Sequence, residues 1–353
     1  MRGHEVQTVR RPRIKAEGEG FYHVVSRIAG RRFLLDEKEQ GVLLGMIRAA
    51  AAFSGVEVYT YAVMSNHFHL LVRVPRKREV DEKELLRRME ALYGTPRFLK
   101  VLEKWEMWTK RHQESRVEAE KARLRARMYD LSQFCKTFKE AYTQDYNRRH
   151  DNTGSIWEGR FKSILLEGSW RTLMTVAGYI HLNPVRAAIV ENAEEAPNAG
   201  YGAACRGDTR AQAGLLSLVK RVYGAKEATW AQARNACAQV IAGAAAESIA
   251  GGVRGSISDF RSQISNSESP APVGEAFSAE AQSSDDSVAP RTLRALLRRR
   301  VTEFLHGGAL GGEAFLARAK KRLPKRVRKR ASTLLDACPF LSMKPAAGVR
   351  GAS

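Results

Sequence analysis

Two runs of alternating residues, 56–64 (VEVYTYAVM) and 67–74 (HFHLLVRV), flank a short Ser-Asn break. A period of two marks strands with distinct faces, and so short a break between two such runs makes a β-hairpin. In the second run this phase puts Phe68, Leu70, Val72 and Val74 on one side and His67, His69, Leu71 and Arg73 on the other. The hairpin therefore carries two imidazoles pointing the same way, about one metal diameter apart. An isolated H-x-H also fits surface histidines or histidines satisfied by hydrogen bonds, so its meaning depends on what else reaches that face.

The flanking sequence supplies the remaining elements. Residues 21–27 (FYHVVSR) read as a strand and 36–53 as a helix with apolar residues at helical spacing. Residues 76–128 are highly charged with scattered Leu and Trp, which predicts a helical insertion with a solvated face. An amphipathic stretch at 131–149 precedes the loop HDNTGS, a strand at 160–167 and a helix at about 169–182. The order βαββαβα predicts an α+β, ferredoxin-like sheet with helices on one face and the other face open.

These features divide the chain into a basic N-terminal arm (1–19), a main domain (20–190) and a helical extension (191–261). A linker rich in Ser, Ala, Pro and acids follows at 262–290, then a basic, mainly helical tail at 291–353. Residues 291–330 hold 14 basic and 2 acidic side chains, a density that suits phosphate contact through counterion release; a solvated basic tail is the plainer alternative.

Charge narrows the partner. Over 353 residues, 59 Lys and Arg against 38 Asp and Glu give a formal charge of +21, which favours a polyanion, nucleic acid first. No run of 18 apolar residues argues for a membrane, and the N-terminus lacks the apolar core of a secretory signal, so a cytoplasmic, nucleoid-associated protein is expected. The cysteines, Cys135, Cys205, Cys237 and Cys338, are too far apart for a zinc knuckle or a disulfide framework.

A second motif, GYIHLNPVRA, places Tyr179 and Asn183 four residues apart on one helix face. With His67 and His69, the Asn183 carboxamide makes a candidate third ligand. Such a mixed N/O set leaves positions open for a phosphate oxygen and suits Mg²⁺ or Mn²⁺ better than a closed zinc site. Tyr142 and Tyr146 also sit on a basic helix, but four residues on they are followed by Tyr146 and His150; His150 is a weaker competitor as third ligand. In WEGRFKS, Trp157, Arg160 and Lys162 combine an aromatic platform with cations, fit to stack an unpaired base and grip phosphates, or equally a structural Trp beside solvated cations. Asn66, Arg73 and Arg186 complete the candidate DNA-contacting set.

Three segments together, MSNHFHLLV (64–72), NRRHDNTGSIWEGRFKS (147–163) and YIHLNPVRA (179–187), resemble the REP-associated tyrosine transposases, within the His-hydrophobic-His single-tyrosine transposases. Residues 200–215 and 304–319 look like the C-terminal extension of one branch of these proteins. The resemblance implies that His67 and His69 hold a divalent metal, Asn183 completes the site and Tyr179 attacks a phosphodiester to leave a 5′-phosphotyrosine. It also implies a single-stranded or hairpin DNA substrate, with either a monomer or a homodimer compatible. The phenol, ionising near pH 10 when unperturbed, needs activation beside a polarised phosphate. No acidic residue stands in the H-x-H motif, so metal and DNA phosphate are expected to bind cooperatively. Two alternatives remain: a non-catalytic nucleic-acid-binding protein, and a metal-dependent nuclease in which water attacks and Tyr179 only positions substrate.

Overall fold

The computed structural model describes residues 13–224, 227–250, 309–311 and 313–321. Strand β1 (Gly20–Arg27) leads into helix α1 (Glu37–Ser54), whose N-cap Asp36 accepts from the Glu39 backbone N–H. The hairpin β2 (Glu57–Val63) and β3 (His67–Val74) follows, with the Met64 N–H donating to the His67 carbonyl at 2.8 Å to close its turn. Three helices then intervene, α2 (Glu82–Tyr93), α3 (Thr95–Lys110) and α4 (Glu114–Ala126), before α5 (Leu131–Arg149), β4 (Lys162–Leu166), α6 (Trp170–His181) and the single turn α7 (Asn183–Arg186). The extension adds α8 (Gly200–Cys205), α9 (Thr209–Tyr223) and α10 (Trp230–Ala250). A short strand β5 (Ala309–Leu310) and helix α11 (Glu313–Lys321) complete the described chain.

The strands form one sheet in the order β2-β3-β1-β4-β5. β3 lies between β1 and β2 and runs antiparallel to both; β4 is antiparallel to β1, and β5 is parallel to β4. Neither outer edge is bare. The β2 edge is met by residues 198–199, where the Val63 N–H donates to the Asn198 carbonyl, and β5 covers the β4 edge.

Side chains from Tyr22, Val24, Phe68, Leu70 and Val72 bury one face. That face meets α1 and α5, with Phe68 edge-on to Phe138 at 5.5 Å and to Trp157 at 5.7 Å. The opposite face, expected from sequence to be open, is covered by α6, α8 and α9. The reason lies between the histidines: Val25, Leu71, Ile164 and Leu166 occupy the same face and are all buried, and that much apolar area requires cover. α9 comes close enough that a Cβ on Gly214 would sit 2.6 Å from the Val58 carbonyl oxygen, beside a register shift in β2. α10 packs on α6 in turn, and a Cβ on Gly178 would fall 2.5 Å from Val240 Cγ1.

The insertion has a small core of its own. Leu85, Met89, Phe98, Trp105, Val117, Leu124 and Met128 cluster beneath Phe53 of α1. β5 is a strand in a region expected to be helical, while most of the N-terminal arm, the 262–290 linker and most of the tail lie outside the described residues. Among the described residues no helix is long and apolar enough to cross a membrane.

One buried charge ties α1 to α5. Glu39 is 2% exposed, accepts from Tyr142 Oη at 2.7 Å and from Arg149, and holds His150 Nε2 at 2.9 Å. The Arg149 hydrogen bonds hold its carboxyl down at about 2 against an ordinary 4.5. A depressed carboxylate contributes stability that is complete above the ordinary value and fades as pH falls through the folded one. Denaturant unfolding is therefore expected to show a loss of stability between about pH 4.5 and 2 that Glu39→Gln lacks.

Candidate active site

The site lies at the end of the sheet where β3 begins. The Asn66 carboxamide bridges, donating through Nδ2 to the Arg31 carbonyl at 3.1 Å and meeting His67 Nδ1 through Oδ1 at 2.7 Å. Asn66 thus orients a histidine, where a DNA contact was expected. With Nδ1 of His67 engaged as a donor, Nε2 is the nitrogen with metal-binding character. His69 is 1% exposed, and its Nδ1 lies 3.0 Å from Nε2 of His23 in β1, the two rings stacked with centroids 5.2 Å apart. The His67 and His69 rings are 5.0 Å apart. Burial, then the positive environment of His23, His67, Arg27 and Arg186, pushes the His69 pKa well below its ordinary value, which keeps the ring neutral as a ligand must be.

α6 brings in the tyrosine. Ser169 caps it, its hydroxyl accepting from the Thr172 N–H. His181 anchors the helix's other end: its Nε2 lies 2.9 Å from Thr60 Oγ1 of β2, its ring stacks on Tyr201, and burial lowers its pKa to about 3. Between these anchors the Tyr179 ring stands edge-on to His69 at 5.7 Å and to His23 at 5.8 Å, with the Arg186 guanidinium 5.2 Å from its centroid. Tyr179 is 3% exposed. Asn183, one turn on, donates from Nδ2 to the Tyr179 carbonyl at 2.9 Å, which leaves Oδ1 as its ligand-type atom.

Among the described residues no three His, Cys, Asp or Glu side chains converge to hold a metal, so a divalent ion at His67 and His69 would depend on the carboxamide oxygen of Asn183 as a further donor.

Other expected contacts lie elsewhere. Arg73 sits at the far end of β3, bound to Glu19 and Glu57. Trp157 is 6% exposed, packed on Phe68 and Tyr142 with its indole N–H donating to the Lys139 carbonyl, so it is a core side chain of the opposite face. Trp157→Ala is expected to cost about 3–5 kcal/mol of stability, read by denaturant unfolding, as a cavity in a closed core does. Tyr142, Tyr146 and His150 belong to that α5 face, His150 stacked on Tyr146 at 4.2 Å. Arg160 is exposed in the loop before β4. Lys162, also exposed, opposes Val25, which opposes His69, so it lies on the histidine face two strands away.

Two residues of the site escaped the sequence reading, His23 and Arg27. The phase applied to β3 would have found both, since Phe21, His23, Val25 and Arg27 alternate onto one side and Arg27 opposes His67 directly.

Residues 19–121, under a third of the chain, match the model of the family described as IS200-like transposases. The matched residues include His23, Arg27, His67 and His69 but end before Tyr179 and Asn183. Among solved structures three chains match. One, described as a REP-associated tyrosine transposase bound to a REP hairpin, aligns at 15% identity over 55% of this chain and 82% of its own, with a TM-score of 0.35. No curated protein matches.

Proposed function

We propose that this chain is a DNA transposase of the REP-associated, single-tyrosine kind, cleaving and rejoining single-stranded or hairpin DNA through Tyr179. The observation that carries this reading is the meeting of Tyr179 with His69 across more than a hundred residues of chain, ring to ring at 5.7 Å, beside two arginines. The β2-β3-β1-β4 order is the ferredoxin-like arrangement that supports it.

Chemically, the phenolic oxygen attacks phosphorus and the bond to the 3′ oxygen breaks. The phenolic proton ends, directly or by relay, on that departing oxygen. The products are a 5′-phosphotyrosine and a free 3′-hydroxyl, and because the phosphoester link is kept, rejoining needs no nucleotide cofactor. When bound at His67, His69 and Asn183, Mg²⁺ or Mn²⁺ would polarise the phosphate and offset charge in the transition state. Arg186 and Arg27 attract the phosphate to this end of the sheet, and His23 fixes the orientation of His69 through the 3.0 Å contact. A phenol only 3% exposed has to be uncovered first, so DNA binding displaces Arg186 or shifts α6.

The test is incubation of the whole protein with labelled single-stranded hairpin DNA, with Mn²⁺ or with EDTA, followed by denaturing gel electrophoresis. A metal-dependent, detergent-stable adduct supports the reading. Metal-dependent cleavage without an adduct points to water as nucleophile, and binding without cleavage to a nucleic-acid-binding protein.

A further inference from the structure

A cavity of about 910 Å³ opens at the other end of the sheet, where β1 begins and β3 and β4 end. Its floor is Gly20, Phe21, Leu165 and Leu166. Six cations line it, Arg73, Arg76, Lys77, Arg78, Arg221 and Arg318, against two carboxylates, Glu17 and Glu19. Glu19 is committed to Arg73 and Arg221, and Arg78 is held by Glu84. Arg76, Lys77 and Arg318 are exposed and form no ion pair among the described residues. Arg76 and Lys77 follow β3 directly and Arg318 comes from α11, so cations from distant parts of the chain face one groove. Nothing in the catalytic chemistry uses them.

We propose that this groove is a second nucleic-acid contact, binding the phosphate backbone of the same DNA molecule away from the scissile bond; this rests on the DNA-processing reading above. The partner follows from the groove's chemistry. Unpaired cations spread along an open channel suit a chain of phosphates, and each one neutralised releases counterions. The spacing also sets the reach. His67 and Arg73 are six residues apart on β3, about 20 Å of strand, or roughly six base pairs of duplex. A hairpin held at the histidine end therefore reaches the groove only when its stem or flank is at least that long.

The test compares the wild-type chain with the Arg76→Ala/Lys77→Ala/Arg318→Ala triple variant. Affinity is measured without metal over a range of salt, on hairpins with stems of about 12 and about 4 base pairs, longer and shorter than that span. On the long stem the triple variant is expected to flatten the slope of log K against log salt by about 2 to 3, with about a hundredfold or greater rise in Kd at 0.1 M salt. Short-stem affinity and metal-dependent cleavage of a short oligonucleotide should stay at wild-type levels, which also shows that the variant is folded. Arg76→Lys/Arg318→Lys should keep the wild-type slope. An unchanged long-stem slope in the triple variant, or equal losses on both stems, overturns the groove assignment while leaving the catalytic reading intact. Wild-type protein that binds neither hairpin overturns both.

Discussion

Tyr179→Phe is expected to eliminate the covalent protein–DNA adduct while hairpin affinity stays within about threefold of wild type, a change under 1 kcal/mol. Phenylalanine keeps the ring that packs against His23 and His69 and that Arg186 overlies, so the walls of the site survive. What disappears is the oxygen. If cleavage goes through that oxygen, no rearrangement of the remaining groups can restore an adduct, and the loss is limited only by detection. Cleavage by Tyr179→Phe at the wild-type rate would remove the tyrosine from the chemistry and leave water as the nucleophile. The folding cost is small, about 1 kcal/mol for one hydroxyl, and thermal unfolding of the variant serves as the control.

The second large effect is expected at His67, because it is the half-buried member of the histidine pair. Removing His69 would leave a hole in a closed face and strand Nε2 of His23, confounding metal loss with misfolding. His67→Ala avoids this. It should abolish metal-dependent cleavage, weaken Mn²⁺ binding and leave the unfolding midpoint close to wild type. Asn66→Ala, which removes the partner of His67 Nδ1 together with one hydrogen bond to the Arg31 carbonyl, should be milder, with about a 10- to 100-fold loss in Mn²⁺ affinity. Mn²⁺ titration followed by electron paramagnetic resonance reads both variants directly. Equal Mn²⁺ affinity in wild type and His67→Ala would show that the pair is not a metal site.

Much of this was legible because period two and period 3.6 are strong signals. The alternation in 67–74 placed His67 and His69 together, and four-residue spacing placed Asn183 one turn beyond Tyr179. What local pattern could not supply was burial between elements. Trp157 in WEGRFKS has the composition of a base-stacking loop, yet the loop folds its indole under α5, where Lys139 and Phe68 enclose it. Arg73 shares a face with His69, but strand length carries it to the opposite end, where Glu19 and Glu57 neutralise it. Phase fixes a face and not a position along it. The open sheet failed for a related reason: histidines mark a polar face only if their neighbours are polar, and Leu71 and Val25 are not. β5 was out of reach, since two residues carry no period and their pairing with β4 depends on chain returning from far away.

Gly178, directly before the tyrosine, meets Val240 of α10 with no room for a methyl between them. Helix α6 and the extension are therefore keyed like cogs, and the extension cannot be trimmed as an accessory. A truncation ending near residue 190 would bare the back of α6 and free the tyrosine from its setting. Conversely, anything that draws α10 aside acts as a lever on the helix that carries Tyr179, the side chain proposed as the nucleophile.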